Sequence, residues 1–91
     1  MLIAIDYDGT YTADPELWKR FIKDALNSGH KVICATMRYE HEGDTMCGEL
    51  KKMIDVIFTD RKAKFKALEE SGIHPDIWIE DSPYWLFTDS K

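Results

Sequence analysis

Four short apolar runs punctuate the chain: Leu2–Ile5, Lys31–Cys34, Val56–Phe58 and Ile77–Ile79. Each has strand length and lacks polar alternation, the pattern of strands covered on both faces. Between the first two, DPELWKRFIKDALNSG (Asp14 to Gly29) carries a helical period. Leu17, Phe21, Ile22, Ala25 and Leu26 fall on one face, and Lys19, Arg20, Lys23 and Asp24 on the other. Asp14 is placed to cap this helix, Pro15 to open its first turn and Gly29 to end it. RKAKFKALEESG (Arg61 to Gly72) reads the same way, with Phe65 and Leu68 inward and Gly72 as the stop, and a shorter helix is expected near Thr45–Met53. Strands alternating with helices imply right-handed crossovers and a three-layer, Rossmann-like α/β fold: a small parallel sheet of about four strands flanked by helices. Such sheets bind ligands at the C-terminal strand ends. The irregular stretch RYEHEGD (Arg38 to Asp44) is placed as a loop over that edge.

The strand ends carry the candidate chemistry. Asp6 and Asp8 follow the first run, two residues apart. If the strand continues through Tyr7, both carboxylates point the same way, and their repulsion calls for a cation. Hard oxygen ligands suit Mg²⁺, which typically binds one or two carboxylates together with waters and substrate phosphate. The second run leads into Thr36, the third leads to Lys62 and Lys64 at the start of a helix, and the fourth is followed by Glu80 and Asp81. A nucleophilic carboxylate, a cation, phosphate-holding donors and a second carboxyl for proton transfer are what phosphoryl transfer through an aspartate requires. Gly9 would let the chain turn so that backbone N–H groups face the phosphate.

DYDGT, Asp6 to Thr10, resembles the first motif of the haloacid dehalogenase (HAD) superfamily, which runs Asp-x-Asp-Gly-Thr after a hydrophobic strand. Thr36, the Lys62/Lys64 pair and the Glu80–Asp81 pair follow in the order of its later motifs, so the resemblance covers nearly the whole chain. The wording TMR and WIEDSP also looks like small HAD-like proteins of phage and bacterial genomes. The resemblance implies a single HAD-like domain over residues 1–91 and an Mg²⁺-dependent phosphatase acting on a phosphate monoester. It implies Asp6 as the nucleophile that becomes an aspartyl-phosphate, and Asp8 as general acid/base with its backbone carbonyl on the metal. Thr36 is implied as the phosphate-holding hydroxyl, and Lys64, or else Lys62, as the bridging ammonium. Asp81 is the implied motif-four metal ligand with Glu80 beside it, so the metal set is Asp6, Asp8 and Asp81. Gly9, Thr10, Arg38 and Lys62 are the expected substrate-binding residues.

The intervals between motifs are too short for an inserted cap, so the site is expected to be open, suiting a large substrate or closure by a second copy of the chain. Where the fourth motif often carries another acid, this chain has Tyr84 and Trp85.

Composition adds bounds. With 91 residues and 44% hydrophobic positions, the chain has material for one small core. A net charge of -5 argues against a broad nucleic-acid surface, although a nucleic-acid end remains a possible substrate beside a phosphorylated small molecule. Cys34 and Cys47 show no CxxC spacing, and no run approaches a membrane span, so a reduced, cytoplasmic protein with no membrane partner is expected. His41 and Cys47 match no ordinary zinc spacing; Arg38 and His41 are better kept as loop contacts to substrate. Two other classes are weighed. A receiver-like switch would carry its phosphate on Asp60, and a non-catalytic partner protein would work through Tyr84, Trp85 and Phe87.

Overall fold

The computed structural model describes residues 1–90. Each apolar run forms a strand: β1 (Leu2–Asp6), β2 (Lys31–Thr36), β3 (Asp55–Phe58) and β4 (Ile77–Ile79). All pairings are parallel, in the order β3-β2-β1-β4. Helices α1 (Pro15–Asn27), α2 (Thr45–Lys51) and α3 (Lys64–Glu70) return the chain between strands, and a short α4 (Tyr84–Phe87) follows β4. The chain steps outward from β1 through β2 to β3, then crosses to the far side of β1 for β4. This reversal places a crevice at the C-terminal ends of β1 and β4.

Alternation along β1 and β2 explains the three layers. Ile3, Ile5, Val32 and Cys34 project to one face, where they pack with Ile22 and Ala25 of α1 and Cys47 and Leu50 of α2. Ala4, Ile33 and Ala35 project to the other, where they meet Leu68 of α3. Each fully buried Ile or Leu contributes about 1.5–3 kcal/mol. The fold is therefore the expected Rossmann-like α/β sandwich, without a cap.

Asp14 caps α1 by accepting from the Leu17 amide at 3.2 Å, with Pro15 at the first helical position. The apolar stripe of this helix is wider than the surface it covers. Ile22 and Ala25 are buried, whereas Leu17 and Leu26 at its margins are each 42% exposed. Phe65 on α3, expected inward, is likewise 42% exposed. The Arg38–Asp44 stretch is partly ordered by a single 3-10 turn, Glu40–Glu42, between β2 and α2. Among the described residues, no helix is long and apolar enough to cross a membrane.

Candidate functional site

β1 ends at Asp6, one residue earlier than the shared orientation of Asp6 and Asp8 requires. The chain turns because Tyr7 is drawn into the core, fully buried and stacked on Tyr11 with ring centroids 5.8 Å apart. Its hydroxyl donates to Asp44, which also caps α2 through the Cys47 amide at 2.7 Å. Period-two alternation therefore stops before Asp8. The Asp6 side chain is 4% exposed and the Asp8 side chain 55%. Both still line one cavity of about 220 Å³, Asp6 in its buried interior and Asp8 at its open side.

Lys64, at the first turn of α3, reaches into the interior. Its ammonium donates to Asp6 Oδ1 and to Glu80 Oε1, each at 2.5 Å, and its side chain is 5% exposed. Lys62 is exposed and does not line this cavity. Geometry thus separates the two lysines that the sequence leaves open. The start of α3 is braced from the C-terminal segment: Asp89 accepts from the Ala63 amide at 2.6 Å, and the Ser90 amide donates to the Arg61 carbonyl at 2.6 Å. Just before it, Asp60 and Arg61 adopt left-handed backbone angles, φ 54° and 67°.

The loop after β1 supplies a latch. Thr10 is 6% exposed, and its hydroxyl lies 3.1 Å from an Asp6 oxygen and 3.1 Å from an Asp81 oxygen, while accepting from the Asp81 amide at 3.2 Å. Gly9 makes this possible. Its φ is +85°, and a Cβ there would stand 2.5 Å from Asp81 Oδ2. The Gly9 amide, in the turn expected to present backbone N–H groups to a phosphate, donates to the Thr12 hydroxyl at 2.9 Å. Thr36 is 1% exposed at the end of β2 and lines the cavity.

Arg38 also lies where the loop over the edge was expected, but in this structure it is engaged with protein. Its guanidinium makes a bidentate pair with Asp8 at 2.8 and 2.9 Å, donates to the Glu42 carbonyl at 2.5 Å and sits 5.2 Å from the Tyr7 ring centroid. His41 is exposed and stacked on Tyr39, outside the cavity lining. Asp60 is exposed and outside it as well.

Burial pushes the Asp6 carboxyl up to about 7, with Asp81 and Glu80 adding to the rise, against the pull of Lys64. Asp81, hydrogen-bonded to Asp6 and Thr10, is held below the usual carboxylate range. Burial alone would lower the Lys64 ammonium, but its bonds to Asp6 and Glu80 hold it above its ordinary value. Lys64 thus answers Asp6 and Glu80 while Asp81 beside them has no cationic partner, an imbalance that a further cation would relieve. Asp6, Glu80 and Asp81 each offer an oxygen within 4.8 Å of the others, a hard donor set that fits Mg²⁺. Glu80 joins this group in place of the Asp8 side chain, which is turned to Arg38.

Met37, Ser82, Trp85 and Ser90 complete the cavity wall. None of the four belongs to the site residues that the sequence suggests. Ser82, adjoining Asp81, and Trp85, four residues beyond it, carried the only usable signal. A larger cavity, about 670 Å³, opens at the opposite end of the sheet beside Leu2, Lys31, Asp55 and His74. It holds none of the clustered acids or Lys64, so the chemistry points to the smaller one. Comparisons with protein-family models, with curated proteins and with solved structures each gave no match.

Proposed function

We propose that this chain is a capless, Mg²⁺-dependent phosphatase of the HAD type, cleaving a phosphate monoester through an aspartyl-phosphate on Asp6. The observation that carries this reading is the buried Lys64 bridging Asp6 and Glu80 beside Asp81, at the C-terminal ends of β1 and β4. An aspartate held this way has a fixed direction of attack and an adjacent positive charge for the phosphoryl oxygens.

An Asp6 oxygen attacks phosphorus, the ester P–O bond breaks, and the leaving oxygen takes a proton from the Asp8 carboxyl. Water then attacks the phosphorus, Asp8 takes back a proton, and the acyl-phosphate P–O bond breaks to release inorganic phosphate and restore Asp6. Lys64 and the Thr36 hydroxyl hold the phosphoryl oxygens. Mg²⁺, held by Asp6, the Asp8 carbonyl and Asp81 with Glu80 beside them, would offset the repulsion between carboxylate and phosphate. Asp8, held by Arg38 at the open side of the cavity, serves the proton steps from that position. Buried, unpaired Cys34 and Cys47 agree with a reducing, cytoplasmic setting.

The test is hydrolysis of an aryl phosphate by purified protein with Mg²⁺ and with chelator, alongside Asp6→Asn. Turnover that requires Mg²⁺ and is lost in the variant is expected. A folded protein without turnover, or equal turnover in the variant, contradicts Asp6 as the nucleophile for this ester. A second reading, a partner protein that keeps the fold, draws on the exposure of Tyr84 (63%) and Phe87 (69%). The receiver-like reading draws no such support, because Asp60 lies outside the cavity.

A further inference from the structure

The interior of the site and its wall differ in character, and the difference bears on what the phosphate is attached to. Asp6, Lys64 and Glu80 form a closed, charged floor with side chains only 4–5% exposed. Half-buried Met37 and Trp85 give part of the wall an apolar surface. Tyr84 extends that surface outward: it is 63% exposed and packs edge-on against Trp85, ring centroids 5.0 Å apart. The edge contact steadies the indole at its place on the wall.

Size sets the next constraint. At about 220 Å³ the cavity is smaller than the roughly 300–1,000 Å³ of sites that enclose a whole small ligand. A phosphoryl group and a short spacer would fill it, leaving the rest of a substrate to lie along the wall. A bare sugar phosphate would find hydrogen-bond partners in Ser82, Ser90 and Asp8 but would leave the indole of Trp85 and the thioether of Met37 without an apolar partner. An aryl ring bonded directly to the phosphate would be held at the charged floor. A planar ring carried on the sugar would have Trp85, which lines the same cavity as Asp6 and Lys64, as its stacking partner.

We propose that the site takes a nucleoside phosphate, with the phosphate at Asp6 and Lys64 and the nucleobase stacked on Trp85. This rests on the phosphatase reading for its chemistry, and the products are a nucleoside and inorganic phosphate. The base can belong to a free mononucleotide or to a nucleic-acid end, since stacking is the same in both. The net charge of -5 favours the mononucleotide, because a polynucleotide backbone needs clustered Lys and Arg.

The experiment compares adenosine 5′-monophosphate, ribose 5-phosphate and a short oligonucleotide with a terminal phosphate, each with Mg²⁺, on the wild type, Trp85→Ala and Trp85→Phe. Binding of adenosine 5′-monophosphate is followed in parallel by tryptophan fluorescence in Asp6→Asn, with and without Trp85→Phe. The expected result is a kcat/KM for the nucleotide above that for ribose 5-phosphate by about 10- to 100-fold, the value of one base stacked on an aromatic. Trp85→Ala removes this preference and Trp85→Phe keeps most of it; the nucleotide quenches fluorescence only where Trp85 is present. A preference for the oligonucleotide that depends on Trp85 supports the stacking surface and assigns the source as a nucleic-acid end. Turnover of ribose 5-phosphate equal to that of the nucleotide, with Trp85→Ala unchanged, overturns the inference while the phosphatase reading stands. Quenching through Trp85 without turnover of any ester removes the phosphatase reading and leaves the nucleotide site. The absence of both quenching and preference overturns it outright.

Discussion

Arg38 holds Asp8 by two parallel hydrogen bonds, from Nε at 2.9 Å and from Nη2 at 2.8 Å. The guanidinium is itself fixed by the Glu42 carbonyl and the Tyr7 ring, so the pair is anchored although Asp8 is at the open side of the site. Arg38, which the sequence suggests as a contact to substrate, is paired with Asp8 in this structure, and in the proposed reaction it positions the proton donor. Arg38→Ala is expected to lower kcat by about 100-fold with a smaller change in KM, the cost of a misplaced proton donor. Arg38→Lys should not restore it, because an ammonium cannot make the bidentate pair. A loss confined to KM would instead return Arg38 to the substrate.

Lys64 sits between two carboxylates with its side chain 5% exposed. Lys64→Met leaves Asp6 and Glu80 buried without their partner and is expected to destabilise the fold by about 3–5 kcal/mol and to abolish turnover. Lys62→Met, at an exposed position, should stay within about 0.5 kcal/mol of wild type. Urea denaturation of both variants checks the contrast.

Gly9 has no substitute. Alanine there must hold a φ of +85° and place its Cβ 2.5 Å from Asp81 Oδ2. Gly9→Ala is expected to cost about 1–3 kcal/mol and, by displacing Asp81, to weaken Mg²⁺ binding. Denaturation and a Mg²⁺ titration followed by calorimetry test the two effects separately.

Asp6 links stability to pH with an unusual sign for a carboxylate. Its pKa rises from 3.8 to about 7 in the folded, metal-free protein, chiefly through burial. Between those values the native state keeps a proton that the unfolded state has released, so this group's contribution to stability falls as pH rises from about 4 to about 7. Asp81 and Glu42, whose pKa values are lowered, act in the opposite sense at lower pH. The comparison of wild type with Asp6→Asn isolates the Asp6 contribution. The variant should be the more stable above pH 7 without divalent cation, and Mg²⁺ should stabilise the wild type most in that range. Thermal melts across pH, with and without Mg²⁺, measure both.

The apolar runs were enough to indicate four parallel strands, since unbroken Ile- and Val-rich segments between amphipathic helices have few other arrangements. Asp6 and Thr36 were legible because each ends a strand, and Asp81 because it lies two residues beyond one, at the edge where such sheets bind ligands. The Asp8–Arg38 pair was not, because it depends on where the chain leaves β1. Burial of Tyr7 decides that point, and a strand pattern continuing to Asp8 looks identical in one dimension. Glu80 turning inward to Lys64 was hidden for a related reason: adjacent acids after a strand differ only in which one faces the core. The Asp89 brace on α3 joins residues 26 positions apart through a backbone amide, which leaves no side-chain signature.

The central claim, that Asp6 carries the phosphoryl group, is tested most directly by trapping it. Asp8→Asn protein is mixed with a phosphate monoester and Mg²⁺, quenched in acid, and its peptides are analysed by mass. One added phosphoryl group on the peptide containing Asp6, absent with chelator and absent in the double variant with Asp6→Asn, is the result predicted. A phosphoryl group on the peptide containing Asp60, or turnover that persists in the absence of Asp6, would contradict it.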